Sequence, residues 1–318
     1  MPAFGNLMLY VESHENLLDG AIDMSIVSMP ELLSRALHDG YAIGYYEAWD
    51  QYSLEAVLEA AEENHSPAIL GFGGAVASPT WLEGHGVEEL APVARQLAER
   101  AQVPAAVLFN EAQTFGQILR GLQAGCNTVM LDTSHLPFAE NLRLTCKVTE
   151  AAHALGAAVE AELGHLADAS DPSVQAHGTD PAEAARFVET SGVDALAVSV
   201  GNVHILSSGV ATIDLGLLER LHQAVPVPLV IHGGTGFPAE AVRGAISRGV
   251  AKFNVGTRLK QVYLEGIRQA IQALPQEVNI HTVIGSRKET DIFVQGKQRV
   301  KQEIAALMKL YGSAGRAV

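Results

Sequence analysis

Polar and apolar positions along the chain follow a repeating two-part pattern. Short apolar runs rich in Val, Ile, Leu and Ala recur roughly every 20–35 residues, as expected of buried strands. They are "AIGYYEA" (42–48), "PAILGFG" (67–73), "PAAVLFN" (104–110), "TVMLDT" (128–133), "AAVEAELG" (157–164), "ALAVSVG" (195–201), "PLVIHGG" (228–234) and "KFNVGT" (252–257). Helical periodicity fills the gaps. "SLEAVLEAAEEN" sets Leu54, Val57, Leu58 and Ala61 on one face, the i, i+3, i+4, i+7 signature. "GQILRGLQAG", "NLRLTCKVTEAAHALG" and "DPAEAARFVETSG" behave likewise. Asp180-Pro181 reads as an N-cap followed by proline at the first helical position, and Gly156, Gly192 and Gly249 as helix-ending glycines. Eight strand–helix alternations predict an α/β fold, a (β/α)8 TIM barrel. The competing arrangement is an open doubly wound sheet. Its dinucleotide-binding version needs G-x-G-x-x-G after the first strand, where this chain has "GYYEAW". Past Thr257, "RLKQVYLEGIRQAIQAL" and "KQRVKQEIAALMKLYG" predict the last barrel helix and an additional C-terminal helix packed outside.

The pattern is clean only from Met24 onward. Residues 1–23 are acidic and lack the basic start of a signal peptide, so they read as an N-terminal arm or extension before a single barrel domain over residues 24–318. No apolar run approaches the roughly 18 residues of a membrane span. With 318 residues, 48% hydrophobic and 18% charged, the chain has enough apolar material for one large core. A net charge of −15 argues against nucleic-acid or anionic-membrane partners. It leaves open a small phosphate site built from backbone amides. Cys126 and Cys146 form no CxxC, so a thiolate zinc site or disulfide framework is not expected, and a reducing cytoplasm fits.

In a barrel the chemistry sits where strands end, and these ends are polar. They carry Glu47, Asn110-Glu111, Asp132, Glu160 and Glu162, then His204 just after strand 6, His232, and finally Asn254 and Thr257. A single acid or histidine at such a place is ordinarily a loop cap or a structural hydrogen-bonding group. A ring of them on one rim contributes nothing to a folding core. His204, His232 and Glu111 together suit a divalent metal with positions left open for substrate. Imidazole favours Zn2+, and the carboxylate also suits Mn2+, Co2+ or Fe2+. "HGGTGFPAEAV" (232–242) and "NVGTRLK" (254–260) are glycine turns running into helices, which offer backbone N–H groups to a phosphate.

The stretches "IHGGTGFP", "FNVGTRLK", "VMLDTSHLPFAENLRLT", "VEAELG" and the terminal "GSAGRA" resemble the class II, metal-dependent ketose-bisphosphate aldolases, in the tagatose- and fructose-bisphosphate branch. The resemblance runs from about Met24 to Ala317. It implies a zinc-dependent barrel enzyme, a homodimer or homotetramer, that splits a phosphorylated ketose into dihydroxyacetone phosphate and an aldehyde by way of a metal-bound enediolate, or runs the reverse. By the same resemblance His204 and His232 are zinc ligands. Gly233, Gly234, Thr235 and Thr257 contact phosphate, with Gly256 in the second turn. Asn254 holds the enediolate. Asp132 and Glu162 surround the metal, with Glu162 able to reach it in an alternate position.

One motif departs from the family. The H-x-D-H-G run reads Leu108, Asn110, Glu111 and Ala112 at its His, Asp, His and Gly positions. Glu111 can still ligate; Asn110, in the place of the catalytic Asp, cannot protonate an alkoxide. The loop glutamate that moves protons in the family is replaced by Ser170, with Asp168 and Asp171 nearby, and the family's "GAFN" becomes "GYYE", introducing Glu47. The expected catalytic set is therefore Asn110, Asn254 and a new proton carrier, Glu47, Asp171 or Asp168. The expected function is an aldolase with altered proton transfer. The alternatives are an epimerase or isomerase using the same enediolate, or a non-catalytic sugar-phosphate-binding homologue.

Overall fold

The computed structural model describes residues 26–74, 77–168, 177–206 and 208–317. The expected arm over residues 1–23 lies outside them. Eight parallel strands close into a barrel in the order β1-β10-β9-β7-β5-β4-β3-β2. They are β1 (Ile43–Tyr46), β2 (Ala68–Gly73), β3 (Ala105–Ala112), β4 (Thr128–Leu131), β5 (Ala158–Leu163), β7 (Ala195–Val198), β9 (Leu229–Ile231) and β10 (Val250–Val255). Two further short strands, β6 (Ala167–Asp168) and β8 (Val203–His204), pair in parallel above the barrel. Nothing in the apolar pattern predicted that small sheet, because two-residue strands have no periodicity to read.

Barrel strands are buried on both faces, which is why they read as continuous apolar runs rather than alternating ones. One core cluster lies between strands and helices. A second fills the barrel interior with Tyr45, Ile69, Ala106, Leu108, Ala197 and Val230, and is closed from below by Met29, Leu32, Leu33 and Ala36. Those four belong to the helix Met29–Asp39, capped by the Ser28 side chain and ended by Gly40 in the left-handed conformation. Helix ends follow the local signals: Asp180 accepts from the Ala182 and Glu183 amides, and Gly192 ends that helix at φ 68°. The C-terminal helix Ile292–Tyr311 packs outside, against Gln51–Glu63 and Thr257–Gln272.

Two boundaries differ from expectation in ways that matter for the site. β3 runs on to Ala112, with a register shift after Phe109. The eighth barrel strand stops at Val255, and Thr257 is already the first residue of a helix. Among the described residues no helix is long and apolar enough to cross a membrane.

Both cysteines are free. Burial pushes the Cys126 thiol up to about 12, whereas Cys146 is only partly buried and donates to the Thr190 carbonyl. Native protein is therefore expected to react with one equivalent of Ellman's reagent, the second appearing only after denaturation.

Candidate metal centre and active-site cavity

The C-terminal ends of the barrel strands surround a cavity of about 350 Å3. Its polar lining comes from β1 and its end (Tyr45, Glu47), β3 (Asn110, Glu111), β8 (His204), the turn after β9 (Gly233, Thr235) and β10 with the helix that follows (Asn254, Gly256, Thr257, Lys260).

Asn110 and Glu111 are sequence neighbours, yet both line this cavity. On a regular strand their side chains would point to opposite faces. Ala106 and Leu108 do point inward, with Asn110 in the same parity. Glu111 sits at φ 51°, in the left-handed region, where a non-glycine residue is strained by about 1–3 kcal/mol. That conformation, together with the register shift in β3, turns its carboxylate inward as well. Ile205, beside His204, is another of the few non-glycine residues with positive φ, at 52°.

Glu111 Oε1 lies 3.0 Å from His232 Nδ1 and 3.2 Å from His204 Nε2. One ligand atom from each of these three residues falls within 4.8 Å of the others. Glu162 Oε2 is 3.1 Å from His232 Nδ1, adjacent to that set rather than within it. Asp132 bonds to the Ser134 amide and hydroxyl and lines a smaller neighbouring cavity that shares Glu111 and His204.

Behind His232 lies a buried chain that orients it. Its Nε2 is 2.9 Å from Glu160 Oε1. A carboxylate there holds a proton on Nε2, so that Nδ1, which faces Glu111, is the nitrogen left to bind a cation. Glu160 Oε2 also accepts from Lys252 Nζ at 2.7 Å, and both side chains are fully buried. Lys252 Nζ donates again to Asn254 Oδ1 at 2.7 Å. An ammonium only donates, so Asn254 must turn its oxygen to Lys252 and its NH2 to the cavity. That Nδ2 has no partner among the described residues.

The electrostatics favour a positive charge among these groups. Burial would raise the Glu111 carboxyl, but His204 and His232 outweigh it and hold it well below the usual range. Burial would lower His204, and Glu111 instead raises it to about 9. His232 is raised well above its ordinary value by its three carboxylate neighbours, against the opposing effect of burial. Two imidazoles ringed by Glu111, Glu160 and Glu162 thus take up protons where a divalent ion would supply the same positive charge. The donor set fits such an ion, with Glu111, His204 and His232 as the residues that would hold it.

The two glycine turns abut one another. Gly233 has φ 69°, and a Cβ there would collide with the Val203 carbonyl. At Gly234 a Cβ would come within 2.7 Å of the Asn254 carbonyl. Thr235 Oγ1 accepts from the Arg258 amide at 3.2 Å, tying the first turn to the second. Helix Thr257–Gln272 has no side-chain cap at Gly256, and its first residue, Thr257, lines the cavity, so the positive end of the helix borders that space. Glu47 packs against Gly73 and Gly256, where a side chain at 256 would run into its carboxylate. Its Oε2 is 3.1 Å from Lys260 Nζ. Burial raises the Glu47 carboxyl, Lys260 draws it back, and Glu111 adds to the rise.

Of the other expected residues, Asp168 pairs through its backbone with His204, and Ser170 and Asp171 lie outside the described residues. Tyr45, Lys252 and Lys260 went unnoticed in the sequence. A lysine in the middle of a buried barrel strand, "VAKFNV", was a readable signal for Lys252.

The sequence profile of the family described as "Fructose-bisphosphate aldolase class-II" matches residues 27–316. The chain is 34% identical over 299 residues to a fructose-bisphosphate aldolase of Geobacillus stearothermophilus, covering 92% of this chain and 99% of the relative. It is 33% identical over 299 residues to a probable fructose-bisphosphate aldolase of Bacillus subtilis, covering 92% and 100%. Among solved structures, the YdjI aldolase from Escherichia coli K12 superposes with a TM-score of 0.77 at 31% identity, over 92% of this chain and 100% of that one.

Proposed function

The chain belongs to the class-II fructose-bisphosphate aldolase family, a family of metal-dependent aldehyde-lyases, and from that premise we propose that it makes or breaks a carbon–carbon bond in a phosphorylated ketose, with a dihydroxyacetone phosphate-type product. The observation that carries this reading is the convergence of Glu111, His204 and His232 at the mouth of the barrel. A divalent ion held there, zinc by family habit or manganese, cobalt or iron by the carboxylate, would act as a Lewis acid on the ketose carbonyl. Glu162 stands next to that set as a reserve ligand. Gly233, Gly234, Thr235, Gly256 and Thr257 grip the phosphate through amides and hydroxyls. Asn254 donates its free NH2 to the oxygen that gains negative charge as the bond breaks. A carboxamide cannot carry a proton, so Asn110 orients substrate and Glu47 moves the proton, with Asp171 the other candidate. We also infer a homodimer or homotetramer acting in the cytoplasm.

The test is release of triose phosphate by zinc-loaded protein across a panel of ketose phosphates. Glu47→Gln is expected to lower kcat roughly 10²–10⁴-fold, the usual worth of a general acid–base group, with metal content unchanged. An effect below threefold would pass the proton role to Asp171. Asn110→Asp restores the family acid and is expected to raise cleavage of fructose 1,6-bisphosphate. No gain would mean the pocket is rebuilt beyond that position. A second reading, epimerisation without cleavage, is favoured by Asn110 alone, since only cleavage needs a proton exchanged at the hydroxyl next to the broken bond. It would appear as a new ketose phosphate with no triose phosphate.

A further inference from the structure

Buried polar side-chain atoms without a partner are uncommon, and each one needs an explanation. Three of those in the described residues line the same cavity: the Tyr45 hydroxyl, Asn110 Oδ1 and Asn254 Nδ2. Tyr45 and Asn110 are 1% and 2% exposed, so bulk water does not satisfy them. With Asn254 assigned to the reacting oxygen, a phenol and a carboxamide oxygen are left facing the cavity. Neither carries charge: burial, reinforced by Glu47, Glu111 and Glu160, keeps the Tyr45 phenol un-ionised.

The charges around them point the same way. The lining contains two carboxylates, Glu47 and Glu111, against a single lysine or arginine, Lys260, which is already paired with Glu47. The rest of the wall is uncharged: apolar Ile205, Leu206 and Leu264, with the neutral amide of Gln261. Residues 1–25, 75–76, 169–176, 207 and 318, outside the description, contain no lysine or arginine. The chain therefore has no unpaired lysine or arginine at this cavity for a second phosphate, and one seated beside Asn110 would lie next to the Glu111 carboxylate.

We propose that the substrate is a ketose carrying one phosphate, at the end gripped by the two glycine turns, and that its far end is an uncharged hydroxylated chain read by Tyr45 and Asn110. This rests on the aldolase reading above and narrows it from phosphorylated ketoses in general to ketose 1-phosphates. Tyr45 offers both a donor and an acceptor and Asn110 an acceptor, the complement of a neutral hydroxyl. A site built to bond a hydroxyl discriminates strongly against a ligand that leaves its buried groups unpaired.

The experiment is equilibrium binding to zinc-loaded protein. Dihydroxyacetone phosphate, fructose 1-phosphate, tagatose 1-phosphate and the two corresponding 1,6-bisphosphates are compared by calorimetric competition. Dihydroxyacetone phosphate and at least one 1-phosphate are expected to bind, with the matching bisphosphate at least tenfold weaker. Tyr45→Phe removes one buried, unpartnered hydroxyl and so leaves the free protein folded. It is expected to weaken the 1-phosphate about tenfold and to leave dihydroxyacetone phosphate, which has no far end, unchanged. A bisphosphate that binds as tightly as its 1-phosphate overturns the proposal while the aldolase reading stands. So does Tyr45→Phe weakening neither ligand, or both equally. Failure of dihydroxyacetone phosphate itself to bind removes the aldolase reading, and the proposal with it.

Discussion

His232→Ala protein is expected to lose its bound metal and its triose phosphate release together, the latter by on the order of 10³-fold or more, because Lewis-acid catalysis depends on the ion. His232 is the hub of the site. Its Nδ1 meets Glu111 at 3.0 Å and Glu162 at 3.1 Å, and its Nε2 meets Glu160 at 2.9 Å. Without the ring, Glu111 and His204 alone remain of the converging set, and Glu160 loses one of its two cationic neighbours. Elemental analysis after gel filtration and a coupled triose phosphate assay measure the two effects on one sample. A graded comparison comes from Glu160→Gln, which leaves all three ligands in place and replaces the carboxylate that His232 and Lys252 share with a neutral amide. Loss of such a partner typically costs 10–100-fold in metal affinity, so this variant should refill at high zinc concentration whereas His232→Ala should not. A His232→Ala protein that keeps stoichiometric zinc would show that the three side chains do not form the metal site.

Lys252→Met should destabilise the fold by about 3–5 kcal/mol, the usual consequence of breaking a buried ion pair from one side. Lys252 and Glu160 are both fully buried and 2.7 Å apart. Removing the ammonium leaves the buried Glu160 carboxylate with His232 alone to balance it and frees the Asn254 amide from the donor that fixes its orientation. Urea denaturation gives the stability change directly. The double variant Lys252→Met with Glu160→Gln removes both charges, and a large part of the loss should return, since replacing a whole buried pair is often close to neutral. It should not recover activity, because Asn254 is then free to flip. A single-variant loss below 1 kcal/mol would mean that His232 alone satisfies Glu160 and that the Lys252 pair contributes little to stability.

Much of the fold was legible from short-range regularities. Apolar runs marked all eight barrel strands because a strand buried on both faces must be apolar throughout. Asp180-Pro181, Gly156, Gly192 and Gly249 marked helix ends because capping and the left-handed conformation are local requirements. The positions of His204, His232 and Glu111 at strand ends were enough to nominate a metal set, since a parallel barrel brings all such ends to one rim.

What the residue order by itself determined is therefore the architecture, the rim on which chemistry would occur, and the identity of most groups on it. Tertiary structure alone decided which of those groups meet. Glu111 faces the cavity only because its backbone adopts a positive φ that strand alternation argues against. His232 has its proton placed by Glu160, 72 residues away in the chain, and Asn254 its orientation by Lys252. The partnerless Tyr45 hydroxyl became visible only once its surroundings were closed. The physical reason is one of range: strand, helix and cap are set by neighbours within a few residues, whereas charge pairing, burial and hydrogen-bond satisfaction depend on what the closed barrel brings together from strands far apart in the chain.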